Sequence, residues 1–587
     1  MSKEHYLNEI DRYLDKKTWE IAENSNAHYS YGALKKHISD LVMEDYWLDR
    51  LYTKVIKEAH LLGAIHIHDL GDLTLYCCGY SLRDILLKGV VGISNISSAK
   101  PAKHFSSILA QIANLVTNYQ NEIAGAVAFS SFDTLLAPFV KEDKLTYEEV
   151  KQELQEFIWA INSNSRMGSE PAFTNVTMDI TPPKDLLEQN VIVGGEFLDY
   201  TYKDCQREMD LINRAFCEIM LEGDSTGASH AYPIPTYNIY ERFDWDNPNN
   251  ELLWEMAGKY GTPYFANFIN SDMKPEDARS MCCRLRLDKR ELRKRGGGLF
   301  GSSEKTGSIG VVTLNLPRMG YLAKDKEDLF RLIDKYMVIA KNSLEIKRVF
   351  IQKQLDRGLL PAFKEYVGTL RNHFSTIGLI GMNEMCVNFL GKGIKSKEGK
   401  ELSIEVLDFM RKRVADFQEE TGNLYNLEAT PAESTAYRLA LKDKEKFGDD
   451  IYTKVGVNNE PYYTNSCHLP VDEVESITQL FDHQDDLQIK FTGGTVVHIY
   501  LDGGISGEKA KQIVKTICEN YRVPYISLSP VFSSCPNHGY IRGYAEMCPK
   551  CGTPVESFQR ITGYIRPISK FNNGKRAEFF DRTQIAL

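Results

Sequence analysis

The chain has 587 residues, 43% hydrophobic and 26% charged, a composition that supplies a sizeable globular core. Its formal net charge of −10 argues against a broad nucleic-acid-binding face, although a single nucleotide needs only a local pocket. No apolar run is long enough to predict a membrane span, and the start, Met1-Ser2-Lys3-Glu4-His5, lacks the apolar segment of a secretion signal, so a cytoplasmic location is expected.

In chain order, Ile38, Leu41, Val42, Tyr46, Leu48, Leu51, Val55 and Ile56 recur three and four apart and predict an amphipathic helix over 38–62. Ile65-His66-Ile67-His68-Asp69-Leu70 follows and leads into Tyr76-Cys77-Cys78. On a strand His66 and His68 share one face. With no acidic third ligand supplied locally, they read as core or substrate-contact histidines rather than a metal pair. The segment 102–137 predicts another helix, ending near Pro138.

Mid-chain, Met281-Cys282-Cys283-Arg284 precedes a basic glycine-rich loop, Arg293-Lys294-Arg295-Gly296-Gly297-Gly298. Gly296 and Gly301 have the spacing of a phosphate-binding loop, but Ser302-Ser303 stand where Lys-Ser/Thr is required, which rejects that motif. Gly310 to Arg318 contains Asn315-Leu316-Pro317-Arg318, and Asn383-Glu384 follows Gly381.

The stretch Gly422 to Ala436 reads as a loop entering a helix, with Pro431 suited to the first turn. Glu433, Ser434 and Thr435 would lie near the free N–H groups of that turn, where a phosphate is held by those groups and the helix dipole. Cys467 reads as a buried bystander, with a reductant relay as the alternative. Gly494 to Leu501 is short and β-branched and predicts a buried strand, while 507–519 predicts a helix leading into a cysteine-bearing tail. The alternation of helix and strand patterns favours an α/β architecture, with a boundary near 505–530.

The twelve cysteines fall as two adjacent pairs, one close cluster and several singles, which in a reducing compartment points to metal or redox chemistry. Cys535-Pro536-Asn537-His538 and Cys548-Pro549-Lys550-Cys551 each place two ligands three positions apart in a tight turn. Two such turns complete a tetrahedron with no open position, the pattern of structural zinc. Next come Arg560-Ile561-Thr562-Gly563-Tyr564, Arg566-Pro567 and Asn573-Gly574-Lys575. An isolated Gly-Tyr is ordinarily a turn. Glycine is also the residue whose α-carbon radical can be planar and unshielded, because no Cβ obstructs delocalisation between the flanking amides.

Arg560 to Glu578 resembles the C-terminal signature of glycyl-radical enzymes, specifically the anaerobic (class III) ribonucleoside-triphosphate reductases. Further matches run in that family's order from Glu23-Asn24-Ser25-Asn26 to the tail. The resemblance implies an α/β fold: a ten-stranded α/β barrel with a central finger loop over 1–510, and a small zinc-binding glycyl-radical domain over 511–587. It implies that a radical-SAM iron–sulfur activase converts Gly563 to a radical and that Cys283, with Cys282 its competitor, becomes a transient thiyl at the finger-loop tip. Cys78, with Cys77 as the alternative, would be the second active-site cysteine across the substrate. Asn315 and Met281 would meet the reacting ribose or formate, and Ser434, Thr435, Ala436 and His66 the substrate. Cys535, His538, Cys548 and Cys551 would hold Zn2+, with His538 where the family usually has a fourth cysteine.

The implied reaction reduces ribonucleoside triphosphates to deoxyribonucleotides for DNA synthesis with formate as reductant, in a homodimer regulated by dNTP and ATP. Two features depart from the family pattern. The chain starts almost directly at the catalytic region, leaving no room for an N-terminal ATP-cone, and Leu285 stands where formate-using members often place serine. Leu285 keeps a thioredoxin-like reductant as the alternative. Other glycyl-radical enzymes, of acyltransferase or dehydratase type, lack the zinc cluster beside the radical glycine. A non-enzymatic zinc module on an inert barrel would be favoured by loss of Gly563 or Cys283, and both are present.

Overall fold

The computed structural model describes residues 3–17, 29–93, 97–168, 170–225, 229–271, 305–456 and 459–585. Its strands in chain order are β1 (Ile65–Ile67), β2 (Cys77–Tyr80), β3 (Val127–Phe129), β4 (Thr174–Met178), the hairpin β5 (Asn190–Val193) and β6 (Glu196–Thr201), β7 (Ile234–Ile239) and β8 (Tyr264–Asn267). There follow β9 (Gly307–Asn315), β10 (His373–Ile380), β11 (Leu424–Glu428), the short pair β12 (Lys454–Val455) and β13 (Pro461–Tyr462), β14 (Val497–Leu501) and β15 (Tyr525–Pro530). Ten of them run side by side in the order β11-β10-β9-β2-β3-β4-β7-β8-β15-β14, and β1 adds to β9.

Two parallel blocks make up this sheet. β2, β3, β4, β7 and β8 are mutually parallel, as are β9, β10 and β11, and β14 with β15. The blocks meet antiparallel at β2/β9 and at β8/β15. The two ends of the row are joined by backbone bonds. Leu427 O accepts the N–H groups of Thr492 (3.1 Å) and Gly493 (2.7 Å), and Ala429 N–H donates to Gly494 O (2.8 Å). The strand expected from Gly494 therefore begins at Val497, and the glycines before it close the barrel.

The antiparallel junction decides where chemistry can sit. It brings the N-terminal ends of β2, β3, β4 and β8 to the same mouth as the C-terminal ends of β9 and β11. Every residue of β9 and β10 is buried, as expected for strands covered on both faces. The helix Lys326–Asp356, N-capped by the Asp325 side chain on Asp328 N–H, packs on both from outside. Among the described residues no helix is long and apolar enough to cross a membrane.

Three expectations need correction. The helix over 38–62 is broken. Tyr31–Tyr46 runs into a π turn, Trp47–Leu51, that buries Trp47, and a new helix, Lys54–Leu61, starts where the Thr53 hydroxyl accepts Ile56 N–H. The helix over 102–137 is in fact Phe105–Tyr119, then β3, then Phe132–Asp143 with Pro138 inside it. An apolar run hides a three-residue buried strand from periodicity. The domain boundary at 511 also moves, because β15 pairs with β14 and β8 and so belongs to the barrel.

The tail beyond β15 is a four-stranded sheet of β16 (Phe532–Cys535), β17 (Gly539–Arg542), β18 (Glu556–Arg560) and β19 (Ile565–Pro567), in the order β17-β16-β18-β19. The helix Asn573–Asp581 follows, capped by Asn572 on Lys575 N–H. The chain then returns to the barrel, where Ile585 bridges Leu501 and Thr583 N–H donates to Val471 O (2.8 Å). Arg582 ties the same segment to Gln559 Oε1 and Arg560 O (2.9 Å each). The tail is thus pinned at both ends.

Candidate active site

Gly563 lies in the turn between β18 and β19, buried against the barrel mouth. Its N–H donates to Glu433 Oε1 (2.9 Å). Its carbonyl accepts from Arg560 Nη1 (3.0 Å) and from the Tyr264 hydroxyl. Arg560 Nη1 also donates to Tyr264 Oη (2.5 Å), and its guanidinium lies 4.3 Å from the centre of the Tyr264 ring. The next residue, Tyr564, packs edge-on against Phe173, with ring centres 4.8 Å apart.

Beside this turn is a cavity of about 330 Å³, at the lower end of the range for small-molecule sites. Both blocks line it: Ala126 and Phe173 from one, Val311, Thr430 and Ser434 from the other, with Tyr564 from the tail. The helix Glu433–Phe447 starts there, after Ala432 in the left-handed region (φ 47°) and with no side chain capping its first turn. Ser434 is exposed to the cavity and Thr435 is buried at its edge. Ala436 instead packs into an apolar cluster with Leu439 and Tyr463.

The cysteine pair is separated by the pleat. Cys78 is in register with Val127 and lies in the main apolar core, on the side of Tyr80, which stacks on Tyr119 of the surrounding helix (4.5 Å). Burial pushes its thiol well above the usual range. Cys77 points the other way, packing with Ala126, Ala128 and Phe173, the face that lines the cavity. A strand alternates its faces, so Cys78, preferred on resemblance, takes the outer face and Cys77, its alternative, the inner one. Met281, Cys282, Cys283, Arg284 and Leu285 lie outside the described residues.

β1 lays His66 opposite Thr313 of β9. His66 and His68 do share a face, with rings edge to face at 4.6 Å. His68 Nε2 bonds Thr313 Oγ1 (2.8 Å) at the cavity wall, whereas His66 sits one step back, 3.3 Å from Arg438 Nη1. Burial depresses both, helped by the Arg438 guanidinium and, for His68, by Lys347; His68 is pushed down to about 3 and His66 well below its usual range.

Asn315 is placed differently from expectation. It caps the helix Leu316–Leu322 by accepting Arg318 N–H (3.3 Å), and its amide donates to Gly63 O and Asp443 Oδ2 (2.8 Å each). Asp443 is further engaged by Arg318 and the Tyr463 hydroxyl (2.6 Å). Both amide protons are spent, and Asn315 does not line the cavity, so a direct contact to ribose or formate has no geometric support. Cys467 is buried, and burial pushes its thiol up to about 12.

In the tail, the ligand atoms of Cys535, His538, Cys548 and Cys551 all lie within 4.8 Å of one another. Cys535 Sγ is 3.7 Å from Cys551 Sγ and from His538 Nδ1, and Cys548 Sγ is 3.6 Å from that nitrogen. A tetrahedron with metal–sulfur bonds of about 2.3 Å has edges of about 3.8 Å, so this donor set fits zinc without rearrangement.

Sequence reading did not find Tyr264, 299 residues from Gly563 and without local signal, nor the bond from Glu433 to the glycine. Arg560 lay inside the motif, unassigned.

Known proteins resemble the chain along most of its length. Residues 23–584 match the family model described as anaerobic ribonucleoside-triphosphate reductase. The anaerobic ribonucleoside-triphosphate reductase of Haemophilus influenzae is 24% identical over 97% of this chain and 84% of its own length. That of Enterobacteria phage T4 is 23% identical over 94% and 93%. The anaerobic ribonucleotide reductase from Thermotoga maritima, in complex with dATP and CTP, shares the fold with a TM-score of 0.76 at 22% identity, covering 98% of this chain and 99% of that one.

Proposed function

We propose, for a chain that belongs to the anaerobic ribonucleoside-triphosphate reductase family, that the Gly563 turn and the cavity beside it form the centre that removes the 2′ hydroxyl of a ribonucleoside triphosphate. One observation carries this reading. The glycine is buried at the barrel mouth and bonded to Glu433, the first residue of the uncapped helix that lines the cavity.

In this reading a radical-SAM activase removes one hydrogen atom from the Gly563 α-carbon. Gly563 then takes the thiol hydrogen of Cys283, assigned from sequence, and the thiyl sulfur takes the ribose 3′ hydrogen. The 2′ hydroxyl leaves as water and Cys77, on the inner face of β2, gives its thiol hydrogen to C2′. Formate restores that hydrogen and passes one electron to the C3′ carbonyl as it becomes carbon dioxide, and the Cys283 thiol returns the 3′ hydrogen. With formate as reductant, substrate, formate and one proton give deoxyribonucleotide, carbon dioxide and water. The first-turn N–H groups near Ser434 and Thr435 hold phosphate, and neutral His68 orients the sugar side of the pocket through its bond to Thr313. A closed barrel keeps water from the radicals and fixes the ribose.

Zinc held by Cys535, His538, Cys548 and Cys551 would organise the tail that carries Gly563. Structural zinc contributes about 10–16 kcal/mol in zinc-finger peptides, more than the roughly 3–8 kcal/mol expected of a unit this small. Chelation is therefore expected to unfold the tail sheet and abolish radical formation while the barrel keeps its circular dichroism. Zinc analysis alongside electron paramagnetic resonance (EPR) checks this. A fully active, zinc-free chain would overturn it.

The protein is read as a cytoplasmic homodimer. A reductase from Thermotoga maritima is described with dATP bound in its specificity site, and dNTP or ATP effectors are proposed here on that likeness. Formate is kept ahead of a thioredoxin-like reductant. Losing the one neutral hydrogen bond that Leu285 cannot make costs about 0.5–1.5 kcal/mol, a factor of about two to ten in binding, too little to exclude it. Anaerobic turnover with labelled formate is expected to release stoichiometric labelled carbon dioxide. Full-rate turnover without formate, driven by a dithiol protein, would sink the assignment.

A further inference from the structure

We infer that Glu433, Tyr264 and Arg560 tune the stability of the Gly563 radical by polarising its two backbone groups in opposite senses. The inference rests on the reading of Gly563 as the radical site. An α-carbon radical is stabilised when the nitrogen on one side donates electron density and the carbonyl on the other accepts it. Hydrogen bonds at these two groups can assist or oppose that flow, depending on what makes them.

At Gly563 both assist. The N–H faces a carboxylate oxygen, Glu433 Oε1 at 2.9 Å, which draws on the proton and leaves the nitrogen a better donor. The carbonyl oxygen faces a cation, Arg560 Nη1 at 3.0 Å, together with the Tyr264 hydroxyl, and both make the carbonyl a better acceptor. Charge-assisted bonds are about twice as strong as neutral ones. Tyr264 and Arg560 are 3% and 2% exposed, so water screens them little. A carboxylate at the carbonyl or a guanidinium at the N–H would have had the opposite effect.

The arrangement is held from outside the turn. Arg560 Nη2 donates to Gly261 O, which aims the guanidinium, and the ring of Tyr264 lies beneath it. Glu433 also exerts its field on the buried Arg566, so its carboxylate has a counter-ion nearby. Only interactions stronger in the radical than in the parent glycine shift the equilibrium between them. All three residues are positioning groups, since none takes or gives the hydrogen atom.

The test uses the activated full-length chain and the variants Glu433→Gln, which keeps the shape and removes the charge, and Tyr264→Phe, which removes the phenol donor. Under argon, the glycyl EPR signal should show a larger α-proton splitting as spin returns to the α-carbon. The radical lifetime should shorten roughly two- to tenfold in each variant, and further in the double variant. A variant that melts and binds zinc like the parent yet forms no radical also counts for the proposal. Unchanged splitting and lifetime in whatever fraction activates overturns it. Oxygen exposure of the parent separates the two layers: cleavage at 563 with unaltered variants refutes the tuning alone, and a demonstrated radical without cleavage there refutes the site as well.

Discussion

Gly563→Ala is expected to yield a folded, zinc-binding chain with no glycyl radical and no turnover. Alanine keeps the N–H that meets Glu433 and the carbonyl that meets Arg560 and Tyr264, so the turn retains its anchors. What it loses is the unshielded α-carbon, because a methyl group obstructs planarity between the flanking amides. EPR after anaerobic activation is the check, with melting temperature and zinc content as controls. A persisting doublet would move the radical elsewhere, with Gly574 next in line. Oxygen exposure of activated parent should cut the chain at 563 and give a shortened product in denaturing mass spectra.

The second large effect is expected at Cys77. Cys77→Ser should keep the glycyl radical and the exchange of the ribose 3′ hydrogen but lower deoxynucleotide formation at least about a thousandfold, the equivalent of about 4 kcal/mol in the barrier. Cys78→Ser should stay active and lose only about 1 kcal/mol of stability, because its side chain packs toward Tyr80 away from the cavity. Release of label from 3′-labelled nucleotide, measured beside product formation, separates abstraction from reduction. If Cys78→Ser blocks reduction and Cys77→Ser does not, the inner-face assignment is wrong. Cys283→Ser should retain the glycyl radical and abolish both readouts.

How much of this could be read from the residues depends on range. The zinc ligands were legible because two short spacings within one segment need no distant partner. A helix entered from the Gly422 loop was legible for the same reason, but it starts at Glu433, past the Pro431 expected in its first turn, because Ala432 takes the cap in the left-handed region. The family resemblance assigns Asn315 to ribose or formate, yet Asn followed by Leu-Pro-Arg is also a capping signature with proline in the first turn, and the structure takes that option. Cys77 and Cys78 could not be separated, since the inner face is set by the register of β2 against β3, partners about fifty positions away. Tyr264 gave no signal, because its role exists only once the tail docks on the N-terminal end of β8. The three-residue β3 was lost inside an apolar run that periodicity reads as helix.

The doubly pinned tail changes what damage would look like. If oxygen severs the backbone at Gly563, the piece beyond it is still paired through β19 to β18 and held by Arg582 to Gln559 and Arg560. It also remains stitched to the barrel at Ile585 and Thr583. Nothing in that network depends on the broken bond. A nicked molecule should therefore run at its native size, retain its zinc and keep its pocket for nucleotide, while being permanently dead. In a preparation that has met air, binding titrations and gel filtration would report intact enzyme, and only denaturation would release the missing piece.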